Sequence, residues 1–309
     1  MCDNDLEIVI IQNVNTESNY HGVNIPAHKF YCMGMTPIGV VQLVHGLTEN
    51  HKVYTEMGRY FAQHGYIFIV HDVLGHGEAL IDNTSMYLPD GGWKYAAQDI
   101  ESVYQQSTNL EEKKLPRSII GFSMGSFLVR SLLSMQKISV ENVVLVGTGN
   151  KSNIELAIGN LVASREIKLH GDKCQSELVN NLAMDSNDKY FKNTYKNAWL
   201  YKDTTCAMRY NNDNSYYKYI TPSFFRELLR GMKQSKHLGY LAELNPNIIL
   251  LSGENDVVTK DMKKLVNSFR KKGCRRVYSH VISSYRHAIL SDACKQNVWS
   301  IIMNYISTT

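Results

Sequence analysis

The chain has 309 residues, 44% hydrophobic and 20% charged, a balance that excludes a disordered or fibrous protein and provides enough apolar material for a sizeable core. Its 33 basic and 29 acidic residues leave a formal charge of +4 spread along the sequence, which excludes the concentrated basic face of a nucleic-acid binder. The six cysteines, Cys2, Cys32, Cys174, Cys206, Cys274 and Cys294, stand far apart with no C-x-x-C pair, so reduced thiols are expected and neither a disulfide frame nor a zinc site.

No basic segment precedes an apolar core at the start, and no apolar run approaches about 18 residues, so the expectation is a cytoplasmic protein with no secretory signal and no membrane span. Three strands open the chain, at 6–11 (LEIVII), 28–32 and 38–44 (IGVVQLV), the last ending at His45-Gly46. Residues 53–64 carry Val53, Met57, Tyr60 and Phe61 at helical spacing and stop at Gly65, a C-terminal signal. A buried strand at 66–70 then leads into His71, Asp72 and a glycine-rich turn. From there a helix at 92–110, a strand at 118–122, a helix at 124–136 and a strand at 142–146 alternate. That rhythm predicts parallel crossovers with helices on both faces of a sheet.

The rhythm breaks after Gly147. Residues 151–236 lack β-branched runs and crowd aromatics, among them Tyr190, Trp199, Tyr201, Tyr210, Tyr217 and Phe225, which predicts a mainly helical insertion. Strand 247–251, helix 260–271, strand 276–282 and helix 291–305 then complete the alternation. The expected organisation is therefore a core at 1–150, an insertion at 151–236 and the rest of the core at 237–309. Insertions at the carboxyl ends of parallel strands sit where such sheets bind ligands, so this one is expected to cap the site.

Gly121-Phe122-Ser123-Met124-Gly125 joins a strand directly to a helix, the context in which Gly-x-Ser-x-Gly forms a nucleophile elbow. A serine hydroxyl is a weak nucleophile at neutral pH and needs a histidine base, itself held by a carboxylate. Asp256 follows strand 247–251 and His287 follows strand 276–282, so the order Ser123, Asp256, His287 is that of an α/β-hydrolase. His280 and Glu254 are the rivals; the first falls inside a strand, and the second lies closer to a strand end. The oxyanion of an acyl intermediate needs two donors, expected from the backbone N–H groups of Met124 and of Leu47 in the loop after the third strand. His71, Asp72 and His76 lack a convincing ligand spacing and are expected to stabilise their turn, so no metal is assigned. No Gly-rich phosphate cradle is present either, and no cofactor is expected.

These segments resemble the monoacylglycerol lipase and lysophospholipase branch of the α/β-hydrolase superfamily over nearly the whole chain. The likeness rests on LVHGLTEN at 43–50, HDVLGHGEA at 71–79, GGWKYAAQDI at 91–100, GFSMGS at 121–126, SGENDVV at 252–258 and RHAIL at 286–290. NAWLYKD at 197–203 and TPSFFRELLRGM at 221–232 are similar to the cap of bacterial members. The resemblance implies an α/β-hydrolase fold, with a mostly parallel sheet of about eight strands flanked by helices. It implies a metal-free serine hydrolase, monomer or homodimer, that cleaves fatty acyl esters under a mobile aromatic-lined cap. Trp199 and Phe122 are the expected substrate contacts, and transient contact with a membrane surface is allowed for. Three positions depart from the pattern: Phe122 stands where many relatives have histidine, Ser126 where they often have glycine, and Ala288 where glutamate usually follows the histidine. The last removes a carboxylate expected to help orient the loop.

Overall fold

The computed structural model describes residues 8–82, 86–135, 137–191, 194–213, 216, 219–237 and 239–308. Cys2, Leu6, Gln136 and Tyr217, all within segments named above, lie outside the described residues. Eight strands form one sheet: β1 (Val9–Glu17), β2 (Asn24–Cys32), β3 (Gly39–Val44), β4 (Tyr66–His71), β5 (Arg117–Phe122), β6 (Asn142–Val146), β7 (Asn247–Gly253) and β8 (Val277–Ile282). Their order is β1-β2-β4-β3-β5-β6-β7-β8, with β1 and β2 antiparallel and the remaining six parallel. This is the mostly parallel, helix-flanked sheet that the alternation predicts.

Every residue of β3, β4, β5, β6 and β7 is buried. Continuous apolar runs do this when helices cover both faces. Successive side chains point to opposite faces, and the core divides accordingly. Val40 and Ile67 pack with Ile100 of α2 (Gly92–Ser107), Leu128 of α3 (Met124–Met135) and Phe269 of α9 (Met262–Lys271). Val41 and Phe68 pack on the other face with Phe61 of α1 (Thr55–Gln63) and Ile302 of α10 (Lys295–Ser307).

Several predicted bounds shift, each for a local reason. β1 runs on to Glu17 and β2 begins at Asn24, because the two pair along their whole length from Val9–Cys32 to Glu17–Asn24. An edge hairpin tolerates Asn13 and Asn15 on its wet face and an exposed Gln12 on the other, so polar letters do not end it. α2 stops at Ser107 instead of 110, because Asn109 accepts hydrogen bonds from the N–H groups of Glu111 and Glu112 and starts a turn. α9 starts at Met262, after Lys260 with φ +46° and the N-cap Asp261, whose carboxylate accepts from the Lys264 N–H. α10 starts at Lys295 instead of 291, because residues 288–292 form a turn closed by Ser291 and Asp292 N–H groups on the Ala288 carbonyl.

Between β6 and β7 the chain forms α4 (Asn153–His170), α5 (Glu177–Ala183), a 3-10 segment (Asp185–Phe191), α6 (Thr204–Asn212), α7 (Pro222–Gln234) and α8 (Tyr240–Leu244). α4 opens on a capping box between Ser152 and Glu155. α7 opens on Thr221 with Pro222 in its first turn. Ile154, Ile158 and Leu161 of α4 are strongly exposed. Among the described residues, no helix is long and apolar enough to cross a membrane, and Cys32, Cys174, Cys206, Cys274 and Cys294 form no disulfide.

Candidate active site

The carboxyl ends of β3, β5, β6, β7 and β8 lie along one edge of the sheet, which brings the loops that follow them together. Ser123 is the single residue between β5 and α3, and its φ of +49° puts it in the left-handed region. For a residue with a side chain, that conformation costs on the order of 1–3 kcal/mol. Three contacts hold it there: Ser123 N–H on the Val146 carbonyl at 2.8 Å, and the Ser126 N–H and hydroxyl on the Ser123 carbonyl at 3.0 and 2.6 Å. The flanking glycines leave room for the turn. A Cβ at 125 would lie 2.1 Å from the Val44 carbonyl oxygen, and one at 121 would lie 2.7 Å from the Gly125 carbonyl oxygen.

His287 Nε2 lies 2.8 Å from Ser123 Oγ, and His287 Nδ1 lies 2.9 Å from Asp256 Oδ1. The imidazole and the carboxylate are both buried. Asp256 Oδ1 also accepts from the Val258 N–H at 2.7 Å, and Oδ2 accepts from the Thr259 hydroxyl at 3.1 Å. Burial alone would raise the Asp256 pKa, but the neighbouring His287 and these donors outweigh it and hold the carboxyl below its usual range. An ionised Asp256 keeps the proton on Nδ1 and leaves Nε2 free to accept from the serine. The rivals lie elsewhere: Glu254 is exposed and accepts from Ser283 and Ser284, and His280 sits within β8.

Phe122 and Trp199 flank the imidazole, with ring centroids 5.1 and 5.2 Å from it, the Trp199 ring stacked. Both also line the cavity at Ser123, so each can pack on the histidine as well as face a ligand. Gly147, with φ +61°, sits below the ring; a Cβ there would lie 2.6 Å from His287 Cε1. Ala288 donates its N–H to the Leu200 carbonyl at 2.8 Å. With no glutamate at 288, the loop is anchored from both sides of that position. Arg286 Nη1 donates to the Ala198 and Tyr201 carbonyls at 2.7 and 2.9 Å, and Asp292 accepts from the Lys202 N–H at 2.7 Å. The RHAIL segment contained Arg286, but nothing in the sequence marked its partners in a segment more than eighty residues away.

Leu47 and Met124 line the same cavity, whose volume is about 410 Å³. The loop between β3 and α1 is held from inside by a buried carboxylate that the sequence did not single out. Glu49 Oε2 accepts from the Gly46 N–H at 2.9 Å and from the Tyr54 hydroxyl at 2.7 Å. Burial raises its pKa from 4.5 to about 7, against the pull of those two donors and of His287. Between these values the folded protein holds a proton that the unfolded chain has released, so this group's contribution to stability falls as pH rises through that window. Unfolding titrations of the native chain and of Glu49→Gln across pH 4.5 to 7 are therefore expected to differ in slope, by about 3 kcal/mol over the window. Parallel curves would rule the linkage out.

Asp72 holds its turn as expected, accepting from the His51 N–H at 2.7 Å, the Glu78 N–H at 2.8 Å and His51 Nδ1 at 2.9 Å. His71 does not share that role through its ring, whose nitrogens meet no hydrogen-bond partner among the described residues, and the His76 ring packs edge-on against His45 and Phe224. Burial pushes both pKa values down to about 3. Among the described residues, no three His, Cys, Asp or Glu side chains are grouped as a metal site would need.

A family model described as serine aminopeptidase, S33, matches residues 35–293. No curated protein matched by sequence. The fold is similar to that of a highly thermostable carboxyl esterase from Bacillus coagulans, at TM-score 0.82 and 19% identity, covering 96% of this chain and 99% of that one. A soluble variant of monoglyceride lipase from Saccharomyces cerevisiae gives TM-score 0.73 and 14% identity over 96% of both chains. A monoacylglycerol lipase from Paleococcus ferrophilus gives 0.67 and 16%, covering 92% of this chain and 98% of that one.

Proposed function

The chain belongs to the serine aminopeptidase S33 family of hydrolases, within the α/β-hydrolase superfamily, and from that premise we propose that it cleaves carboxylic esters of single-chain lipids at Ser123. The observation that carries this reading is the contact chain from Ser123 Oγ through His287 to Asp256, at 2.8 and 2.9 Å. Ser123 Oγ attacks the acyl carbonyl carbon while His287 Nε2 takes its proton, and Asp256 stabilises the imidazolium that results. The N–H groups of Leu47 and Met124 receive the oxyanion. As the intermediate collapses, His287 returns the proton to the departing alcohol; water then repeats the sequence on the acyl-enzyme and releases the acid.

Esters are favoured over N-terminal peptides by the state of the cavity's carboxylates. An aminopeptidase needs a free carboxylate for the substrate ammonium. Here Glu155 is engaged by the Ser152 N–H, Asp261 by the Lys264 N–H, and Glu49 by Gly46 and Tyr54. A single acyl chain suits a cavity of about 410 Å³ whose lining includes Phe127, Phe225, Leu228 and Leu229. In this reading the insertion, residues 151–236, acts as a cap. The exposed Ile154, Ile158 and Leu161 of α4 support transient contact of that cap with a lipid surface.

Turnover of p-nitrophenyl acetate, butyrate, octanoate and decanoate tests the substrate class. The expected result is kcat/KM rising with chain length, at up to about tenfold per two added methylenes while each is fully buried. Acetate and butyrate outpacing every longer ester would mark a small-ester esterase instead.

A further inference from the structure

The lining of the Ser123 cavity is of two chemical kinds. Beside the apolar side chains already described stand four lysines: Lys151 after β6, Lys189 in the 3-10 segment, Lys260 just before α9 and Lys264 in its first turn. They come from three separate stretches of sequence, so no charge run announces them. Lys189 and Lys260 share one aromatic ring, their Nζ atoms 5.2 and 5.9 Å from the centroid of Tyr190. Among the described residues, none of the four has a carboxylate oxygen within 4.0 Å. Two carboxylates of the lining, Glu155 and Asp261, are engaged as helix caps. Desolvation lowers the Lys151 pKa; Glu155 opposes the shift, while Lys260 and Lys189 add to it, so the three ammonium groups feel one another. Four ammonium groups against the two capping carboxylates leave this part of the lining net positive, and a cleft in which one sign prevails concentrates anions there.

We propose that the substrate's non-reacting end carries a phosphate, held by Lys151, Lys189 and Lys260 while the ester reaches Ser123. This deepens the reading above and rests on it. Water adds across the acyl C–O bond, and the products are a fatty acid and a phosphate-bearing alcohol. Lysine suits this task, because a compact ammonium on a flexible stem can meet a phosphate oxygen from any direction.

The test compares two soluble substrates, a hexanoyl ester of glycerol and the same ester of glycerol 3-phosphate, both below their aggregation limits so that no lipid surface is present. The native chain is expected to prefer the phosphate ester, with the preference shrinking as salt is added. In the Lys151→Gln/Lys189→Gln/Lys260→Gln variant the ratio of the two kcat/KM values is expected to fall about tenfold, three exposed charge contacts at typical strength giving that total. All three residues are exposed, Lys151 with its ammonium partly shielded from water, so the variant should fold. As a second measurement, glycerol 3-phosphate should inhibit hydrolysis of the neutral ester competitively in the native chain and more weakly in the variant. Equal or better turnover of the neutral ester by the native chain overturns the phosphate site and leaves the hydrolase reading intact. So does a ratio unchanged by the three substitutions. An effect confined to anionic micelles overturns it too, and makes the lysines a surface-attraction device. Failure of both esters, with no fluorophosphonate labelling at Ser123, overturns both readings.

Discussion

Ser123→Ala is expected to lower kcat by on the order of 10⁶ and to abolish labelling by a fluorophosphonate probe, since loss of a serine nucleophile removes the covalent route and not one contact among many. The residual rate should stay above that of water, because donors for the oxyanion and the binding cavity remain. Alanine keeps a Cβ, so the left-handed turn at φ +49° stays under the same constraint and the fold should not relax. The three backbone-anchored contacts that hold the turn involve the Ser123 main chain and Ser126, none of them the Ser123 hydroxyl. Circular dichroism should therefore match between native and variant chains, which separates lost chemistry from lost structure. Labelling that survives the substitution would move the nucleophile elsewhere and end the proposal.

How far the sequence could be read depended on whether the determining contacts were local. β6 matched its predicted bounds, because five apolar or amide residues buried on both sides leave no ambiguity. The sequence shows the hairpin of β1 and β2 shorter than it is because its outer face is wet, and Asn13 and Asn15 look like a turn until the partner strand is known. Ser123, Asp256 and His287 could be named because each sits just past a strand, and strand ends on one edge of a parallel sheet converge whatever lies between them. The supports of those three residues were hidden for the opposite reason. Trp199 reaches His287 across 88 positions, and Arg286 reaches Ala198 across the same distance. No periodicity spans such gaps. Glu49 was hidden differently. A glutamate in a loop reads as solvated, and only packing shows it buried between the Gly46 N–H and the Tyr54 hydroxyl. The lysines at the cavity lie on three segments and stay scattered until the fold gathers them.

Asp256 offers the sharper test, because alanine and asparagine should part company there. Asp256→Ala leaves the imidazole with no partner at Nδ1 and no charge behind it, and kcat is expected to fall on the order of 10⁴. Asparagine commonly does as much damage in such sites by presenting its amino group to the imidazole and forcing the wrong tautomer. Here one oxygen, Oδ1, accepts from both His287 Nδ1 and the Val258 N–H, whereas among the described residues Oδ2 meets only the Thr259 hydroxyl, which can turn and accept. In Asp256→Asn the fixed Val258 donor therefore pins the amide oxygen of the introduced side chain at the Oδ1 position and places its amino group against Thr259. The tautomer survives, and only the charge that stabilises the imidazolium is lost. At about 4 Å and an effective dielectric near 20 that charge is worth about 4 kcal/mol, or roughly 10³ in rate. Asp256→Asn should thus retain about ten times the kcat of Asp256→Ala, with KM little changed in either. Equal losses would mean that the amide flips despite Val258, and an Asp256→Ala chain keeping a tenth or more of native kcat would remove Asp256 from the mechanism.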